Sequence, residues 1–324
     1  MVGIQERVQQ MYEAHPYPRL QDPLDAERRA AAVRHFGYLG VSLDRFKGAR
    51  VLDAGCGTGE KALHMASLGP AEVVGIDLSS ASVRHAQDNA ARFGVRNVTY
   101  RTGSLLELPF PDDSFDIVHS MGVLHHTADA RRGFAELARV LKPGGIVMVS
   151  LYNSFADWLY HLERALVQVL AGDDTDRRVQ VSKRLFSFRE RWLAKREGTD
   201  LETRLYDKYG HPQATAHSIG EVLGWFRENQ VGFHGIYPPL DLKSLLSIAA
   251  RKDASGEYHV PALLKPVAAV SDVLGKFVGS AEPSAPFPYP PLAMRFLLQS
   301  ALFVAGFQDY SYGVLFSGVK EARA

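Results

Sequence analysis

Val51-Leu52-Asp53-Ala54-Gly55-Cys56-Gly57-Thr58-Gly59 is an apolar run that ends in an acid and passes into a turn with glycine at every second position. Glycine lets the chain bend tightly there and lets a ligand touch the backbone, and the helix that follows offers free N–H groups to an anion. Outward from this turn the same rhythm repeats. Val73-Val74-Gly75-Ile76-Asp77 is a second strand closed by an acid, and Ser79 then caps a helix burying Val83, Ala86, Ala90 and Phe93. Further strands are expected at 97–100, 115–119 and 146–151, with a helical face of Phe134, Leu137, Ala138 and Leu141 stopped by Lys142-Pro143-Gly144-Gly145. Alternation of this kind predicts an α/β, Rossmann-like doubly wound sheet of parallel strands with right-handed crossovers. Asp77 stands where a side chain accepts hydrogen bonds from the two hydroxyls of a ribose.

Either side of this core the pattern differs. Residues 1–47 read as an N-terminal helical lid segment, with Ile4, Val8 and Met11 at helical spacing and His15-Pro16-Tyr17-Pro18-Arg19 breaking the helix. The core itself is assigned to 48–153. A helical insertion rich in Arg, Leu and Trp follows at 154–212, core helix and strand at 213–237, and a helical, Pro-rich insertion at 238–305. A last core strand falls within 306–324, most clearly at 312–319.

Composition narrows the function. The 324 residues are 46% apolar and 23% charged, with 37 Lys and Arg against 36 Asp and Glu. A net charge of +1 gives no field to draw in nucleic acid. One cysteine excludes an intrachain disulfide and a thiolate metal cage. Glu6 and Arg7 stand where a signal peptide needs apolar residues, and no run is long enough to span a bilayer. A cytoplasmic protein is expected; the oligomeric state is not fixed by the sequence.

Five segments in order carry a family resemblance. The 51–59 turn, Gly75-Ile76-Asp77-Leu78-Ser79, Leu108-Pro109-Phe110 with the Asp112–Asp116 segment, Val123-Leu124-His125-His126-Thr127, and Arg139-Val140-Leu141-Lys142-Pro143-Gly144-Gly145 resemble the motifs of class I S-adenosylmethionine-dependent methyltransferases, in the methyltransferase type 11 branch that includes quinone and sterol C-methyltransferases. The resemblance implies S-adenosyl-L-methionine as cofactor, a seven-stranded sheet with its last strand antiparallel, and a mostly helical inserted cap, whose apolar content suggests a small, apolar or aromatic molecule methylated at O, N or C; the alternatives are a methyltransferase of RNA or protein and a non-catalytic S-adenosylmethionine-binding protein. It places Asp53 and Gly55 by the methionine part, with Gly57 allowing close backbone approach and Cys56 and Gly59 among the cofactor-binding residues, Asp77 on the ribose, Leu78 on an adenine face, Gly103, Ser104 and Leu105 at the adenine edge, and Met121 and Gly122 by the sulfonium. Ser104 departs from the family, whose members often carry an acid there. A dehydrogenase shares the glycine turn and ribose acid, but not the Leu-Pro-Phe and His-His-Thr segments.

Methyl transfer from a sulfonium is an in-line displacement, so the protein aligns the acceptor and excludes water, and needs a base only when the acceptor must lose a proton. Tyr17, His126 and His211 are the candidate catalytic groups. Tyr12, Tyr17, Arg19, His125, Tyr152 and Tyr209 are the candidate substrate contacts. A metal site built on His125, His126 and Asp129 is not expected. The basic, aromatic run 177–196 is read as a charged helix face over a buried aromatic stripe.

Overall fold

The computed structural model describes residues 3–16, 33, 36–37, 39–155, 157–197, 199–237, 251–252, 258–259 and 314–322. Its centre is a seven-stranded sheet of β1 (Arg50–Ala54), β2 (Glu72–Asp77), β3 (Val98–Thr102), β4 (Phe115–Met121), β5 (Leu141–Leu151), β6 (Val231–Tyr237) and β9 (Val314–Lys320), in the order β3-β2-β1-β4-β5-β9-β6. The ladders from β3 to β5 are parallel, whereas β9 runs antiparallel to both β5 and β6, as expected of the last strand. Sheet order reverses at β1, with β2 on one side and β4 on the other. The crevice outside the carboxyl ends of such neighbours is where open α/β sheets bind ligands.

Period-2 alternation explains the two cores. Leu52, Ala54, Val74 and Ile76 face one way, against α4 (Ala130–Val140) and α8 (Ile219–Glu228). Val51, Val73, Ile117 and Met148 face the other way, against α2 (Glu60–Ala66) and α3 (Ser80–Arg92). Strands covered on both faces are apolar almost throughout, so a polar residue on one of them is informative.

Helix α4 ends at Val140 and β5 starts at once, earlier than the expected strand at 146. The Pro143-Gly144-Gly145 stretch is absorbed by a register shift against β4 between Phe115 and Ile117, where a bulge leaves the proline without a ladder bond to make.

Helix α1 (Ile4–Ala14) lies against α3. Beyond β5, α5 (Trp158–Ala171), α6 (Thr175–Glu197) and the short α7 (Leu201–Leu205) form a helical unit with its own small core of Val167, Val179, Leu205 and Tyr209. One π-helical turn, Tyr206–Gly210, closes it. Within the segment 238–305, read as a helical, Pro-rich insertion, the described residues are two short antiparallel strands, β7 (Arg251–Lys252) and β8 (Tyr258–His259), and the rest lies outside the described residues. Most of the expected lid segment beyond residue 16 falls outside the described residues. No described helix is long and apolar enough to cross a membrane.

Candidate functional site

A cavity of about 490 Å³ opens at the carboxyl ends of β1, β2, β4 and β5. Its floor is the glycine turn. The N–H groups of Gly55 and Cys56 both donate to the Ile76 carbonyl, at 2.7 and 3.0 Å, which ties the turn to β2. Asp77 leaves β2 beside it, accepting from Gly57 N–H at 2.8 Å and Ser79 N–H at 3.0 Å. Burial pushes the Asp77 carboxyl above its ordinary range, against the pull of those two amides.

The glycines divide by function. Gly57 sits at φ +51°, and a Cβ there would meet nothing within 4 Å, so the space above it is open to a ligand. At Gly55 (φ +83°) a Cβ would lie 2.3 Å from Val123 Cγ2, and at Gly59 (φ +88°) 2.6 Å from the Tyr100 hydroxyl. Those two glycines make room for protein. Gly59 and Gly103 do not line the cavity, and a Cβ at Gly103 would strike Ile76. Cys56 does line it, with burial holding its thiol protonated.

Asp53 is 2% exposed and lies behind the turn. Its Oδ1 is 2.8 Å from Nδ1 of His119, the residue directly opposite on β4. Its Oδ2 is buried with no hydrogen-bond partner in the structure. His119 was not among the residues singled out by sequence, although a polar residue on an otherwise apolar central strand is the signal that finds it.

Helix α1 roofs the cavity through Gln5, Val8 and Tyr12. Gln5 Nε2 donates to Ser104 Oγ at 2.8 Å, and that oxygen also accepts from Leu106 N–H at 3.1 Å. Glu13 caps α3, accepting from the N–H groups of Ser80 and Ala81. Burial, then the charges of Asp207 and Asp77, push the Tyr12 phenol well above its ordinary pKa.

The far wall is aromatic. Tyr152 stacks on His125 at 3.9 Å, His125 meets His126 at 4.2 Å, and His126 stacks on His211 at 3.8 Å. Hydrogen bonds fix their tautomers. His125 Nδ1 accepts from Tyr152 N–H at 3.3 Å, so its proton is on Nε2. His126 Nδ1 lies 2.7 Å from the Gln213 carbonyl and must donate to it, which leaves Nε2 as the basic nitrogen. Burial lowers the pKa of His126, opposed by the Asp207 charge and the Gln213 carbonyl. Burial and the neighbouring histidines lower His125 further. Asp207, carried in by the π-helical turn, lines the cavity.

The structure thus gathers Gly55, Cys56, Gly57, Asp77, Leu78, Ser104, Leu105, Met121, Gly122, Tyr12, His125, His126 and Tyr152 around one cavity. Of the expected site residues that are described, Asp53, Gly59 and Gly103 do not line it, and neither do Tyr209 and His211. Tyr209 is fully buried in the helical unit, its hydroxyl bonded to Glu163 at 2.9 Å and Glu190 at 3.1 Å, because the same turn that turns Asp207 inward points Tyr209 into the α5–α6 core. His211 does not line the cavity; its Nδ1 accepts from Gln213 N–H at 3.1 Å and its ring stacks on that of His126. Tyr17 and Arg19 lie outside the described residues.

Residues 52–149 match the model of a family described as a methyltransferase domain. An uncharacterized protein of Synechococcus sp. is 27% identical over 72% of this chain and 60% of its own length. The 27-O-demethylrifamycin SV methyltransferase of Amycolatopsis mediterranei is 42% identical over 38% of this chain and 46% of its own. A ubiquinone biosynthesis O-methyltransferase of Azorhizobium caulinodans is 38% identical over 39% of this chain and 49% of its own. The match therefore spans between 46% and 60% of these relatives' lengths.

The residues present fit S-adenosylmethionine. Gly57 leaves open space where a ligand would press on the backbone, Asp77 presents a carboxylate at the end of β2, and the cavity is large enough for a nucleoside and an amino acid. Over residues 52–149, the stretch that supplies most of the cavity's lining, the chain is similar to a methyltransferase domain.

Proposed function

We propose that this protein methylates a small, apolar or aromatic molecule on an atom that must give up a proton, and that His126 takes that proton. The observation that carries the reading is the pair of opposed tautomers: His125 has a donor Nε2–H, and beside it His126 has an unprotonated Nε2. Bound S-adenosylmethionine supplies an electrophilic methyl on a sulfonium. Asp77 would hold the ribose, Leu78 and Ser104 the adenine, and Met121 and Gly122 would border the reacting end. His126 accepts the acceptor's proton, and the Asp207 charge steadies the resulting imidazolium. Tyr12, kept protonated by burial, acts as a wall and donor. Tyr152 and His125 give a flat face to an aromatic acceptor. Relatives named for 27-O-demethylrifamycin SV and for ubiquinone biosynthesis support a small-molecule acceptor. The single cysteine suits a reducing compartment, and we place the reaction in the cytoplasm.

The test is labelled-methyl transfer into a cell extract split into small and large molecules, with calorimetry against S-adenosylmethionine and S-adenosylhomocysteine. Label should enter the small-molecule fraction. His126→Gln should bind the donor normally and lose roughly 10²–10⁴ in rate, together with an inflection on the acid side of 6.5. Label in macromolecules, or full rate in His126→Gln, overturns the reading.

A further inference from the structure

The sequence pattern of residues 177–196 predicts a buried aromatic stripe, and the structure divides it. Phe186 turns inward and stacks on Tyr209 at 5.4 Å. Phe188, two residues on, falls on the opposite side of α6 and is 94% exposed, and Trp192, one turn further, is 59% exposed. Leu185 is exposed one turn before Phe188. Helical spacing puts all three on one face, and Arg184, Arg191 and Lys195 are exposed on the same face. Between Gln180 and Lys195 the only acidic residue is Glu190, which is fully buried under Arg189, Arg204 and Lys208. The face is therefore apolar and cationic in a chain whose net charge is only +1.

On α5, which packs against α6 and is joined to it by the Glu163–Arg189 pair, Leu162, Leu166 and Val169 are exposed as well. A soluble helix normally turns such residues inward, and a concentration of them on neighbouring helices marks a binding surface. Aromatic rings, leucines and flanking cations on one helix face, with no exposed acid among them, are complementary to the boundary between anionic headgroups and acyl chains. Single-stranded nucleic acid would use the rings and the cations but has no use for the aliphatic row on α5.

We infer that the exposed face of α6 is a membrane-surface site that takes anionic phospholipid, with Phe188 and Trp192 entering the interface and Arg184, Arg191 and Lys195 meeting the headgroups. This surface is separate from the methyl-transfer cavity and does not depend on the identity of the acceptor.

The test is co-sedimentation of the full chain with vesicles of phosphatidylcholine alone and with about 30% phosphatidylglycerol, whose negative surface potential attracts Lys and Arg side chains. Binding to the anionic vesicles should exceed binding to the neutral ones at least tenfold and fall as salt is raised. Phe188→Glu and Arg184→Glu/Arg191→Glu should each cut it by about tenfold or more, with unchanged melting temperature and S-adenosylmethionine affinity, because those side chains lie on the surface. No preference for anionic vesicles, or equal binding by Phe188→Glu, overturns the proposal. So does tighter binding to an oligothymidine than to vesicles. Concentration-dependent dimerisation abolished by Phe188→Glu, with no vesicle binding, would make the face a contact between two copies of this chain and equally overturn it.

Discussion

Glu13, in α1, and Ser80, at the first turn of α3, are joined by two hydrogen bonds: one carboxylate oxygen accepts from the Ser80 N–H and the other from its hydroxyl. The second oxygen also accepts from Ala81 N–H. The roof of the cavity is thus fastened to the helix that leaves the Asp77 strand, at an end whose dipole favours a negative charge.

Glu13→Ala should cost about 1 kcal/mol as a lost cap and free α1 from α3. Limited proteolysis should cut the N-terminal segment faster in the variant, and S-adenosylmethionine should bind more weakly. Burial opposes ionisation of Glu13, but the amides and hydroxyl of Ser80 and Ala81 prevail and hold its carboxyl below the ordinary range. A depressed folded pKa stabilises above the unfolded value of about 4.3, and the contribution is lost as pH falls through the folded value. Acidification into that window should release α1 in the parent and change nothing further in Glu13→Gln.

The neighbouring glycines should separate on substitution. Gly55→Ala drives a Cβ into Val123 and should lower stability by about 1–3 kcal/mol. Gly57→Ala meets open space and should cost about 1 kcal/mol for its backbone angle, yet weaken S-adenosylmethionine at least tenfold. Thermal melts beside calorimetry distinguish the two. A Gly57→Ala protein that binds normally would move the ligand off the turn.

Asp77→Ala should weaken S-adenosylmethionine by about 1.5–3 kcal/mol, the scale of lost hydrogen bonds to a charged group. Since the same carboxylate holds Gly57 N–H and Ser79 N–H, the variant should also exchange those two amides faster. Parent affinity in this variant would place the ribose elsewhere.

Glu190→Ala should destabilise the α5–α7 unit by about 3–5 kcal/mol, because it leaves Arg189, Arg204 and Lys208 around an uncompensated site. Burial opposes its ionisation, but Lys208, Arg189 and Arg204 hold the carboxyl at about 2. Its contribution is complete above about 4.3 and is lost only as pH falls toward the folded value. Acid unfolding followed by circular dichroism should show the parent losing stability in that window and Glu190→Gln already lacking it.

The sheet was legible because β1, β2 and β4 declare themselves locally: each is a short apolar run with a turn or cap beside it. β5 began earlier than its apolar run because a bulge absorbs Pro143, and a bulge is a property of two strands. The cofactor side was legible for the same local reason, with the turn and Asp77 in one βαβ unit. The aromatic wall was legible only in part: Tyr12, His125, His126 and Tyr152 line the cavity, whereas Tyr209 and His211 do not. Asp207 reaches the cavity and Tyr209 leaves it because of one π-helical turn, which no hydrophobic period announces. The His119–Asp53 pair depends on strand register, and the Glu13 cap joins elements that only the fold brings together. Gly55 lines the cavity as expected, but the Val123 side chain that a Cβ there would meet lies across the turn, where only the fold brings it.

Strand order has a bearing on how the molecule is made. Among the described strands β6 stands at an edge and pairs with β9 alone, and β9 also covers the outer edge of β5. As the chain emerges from the ribosome, Val231–Tyr237 is therefore synthesised with no neighbour to pair with, and waits until Val314–Lys320 arrives and inserts between two strands already present. Throughout that interval two rows of peptide groups stand open to any passing strand. A nascent chain stalled before residue 314 should bind chaperones that one stalled well beyond residue 320 does not.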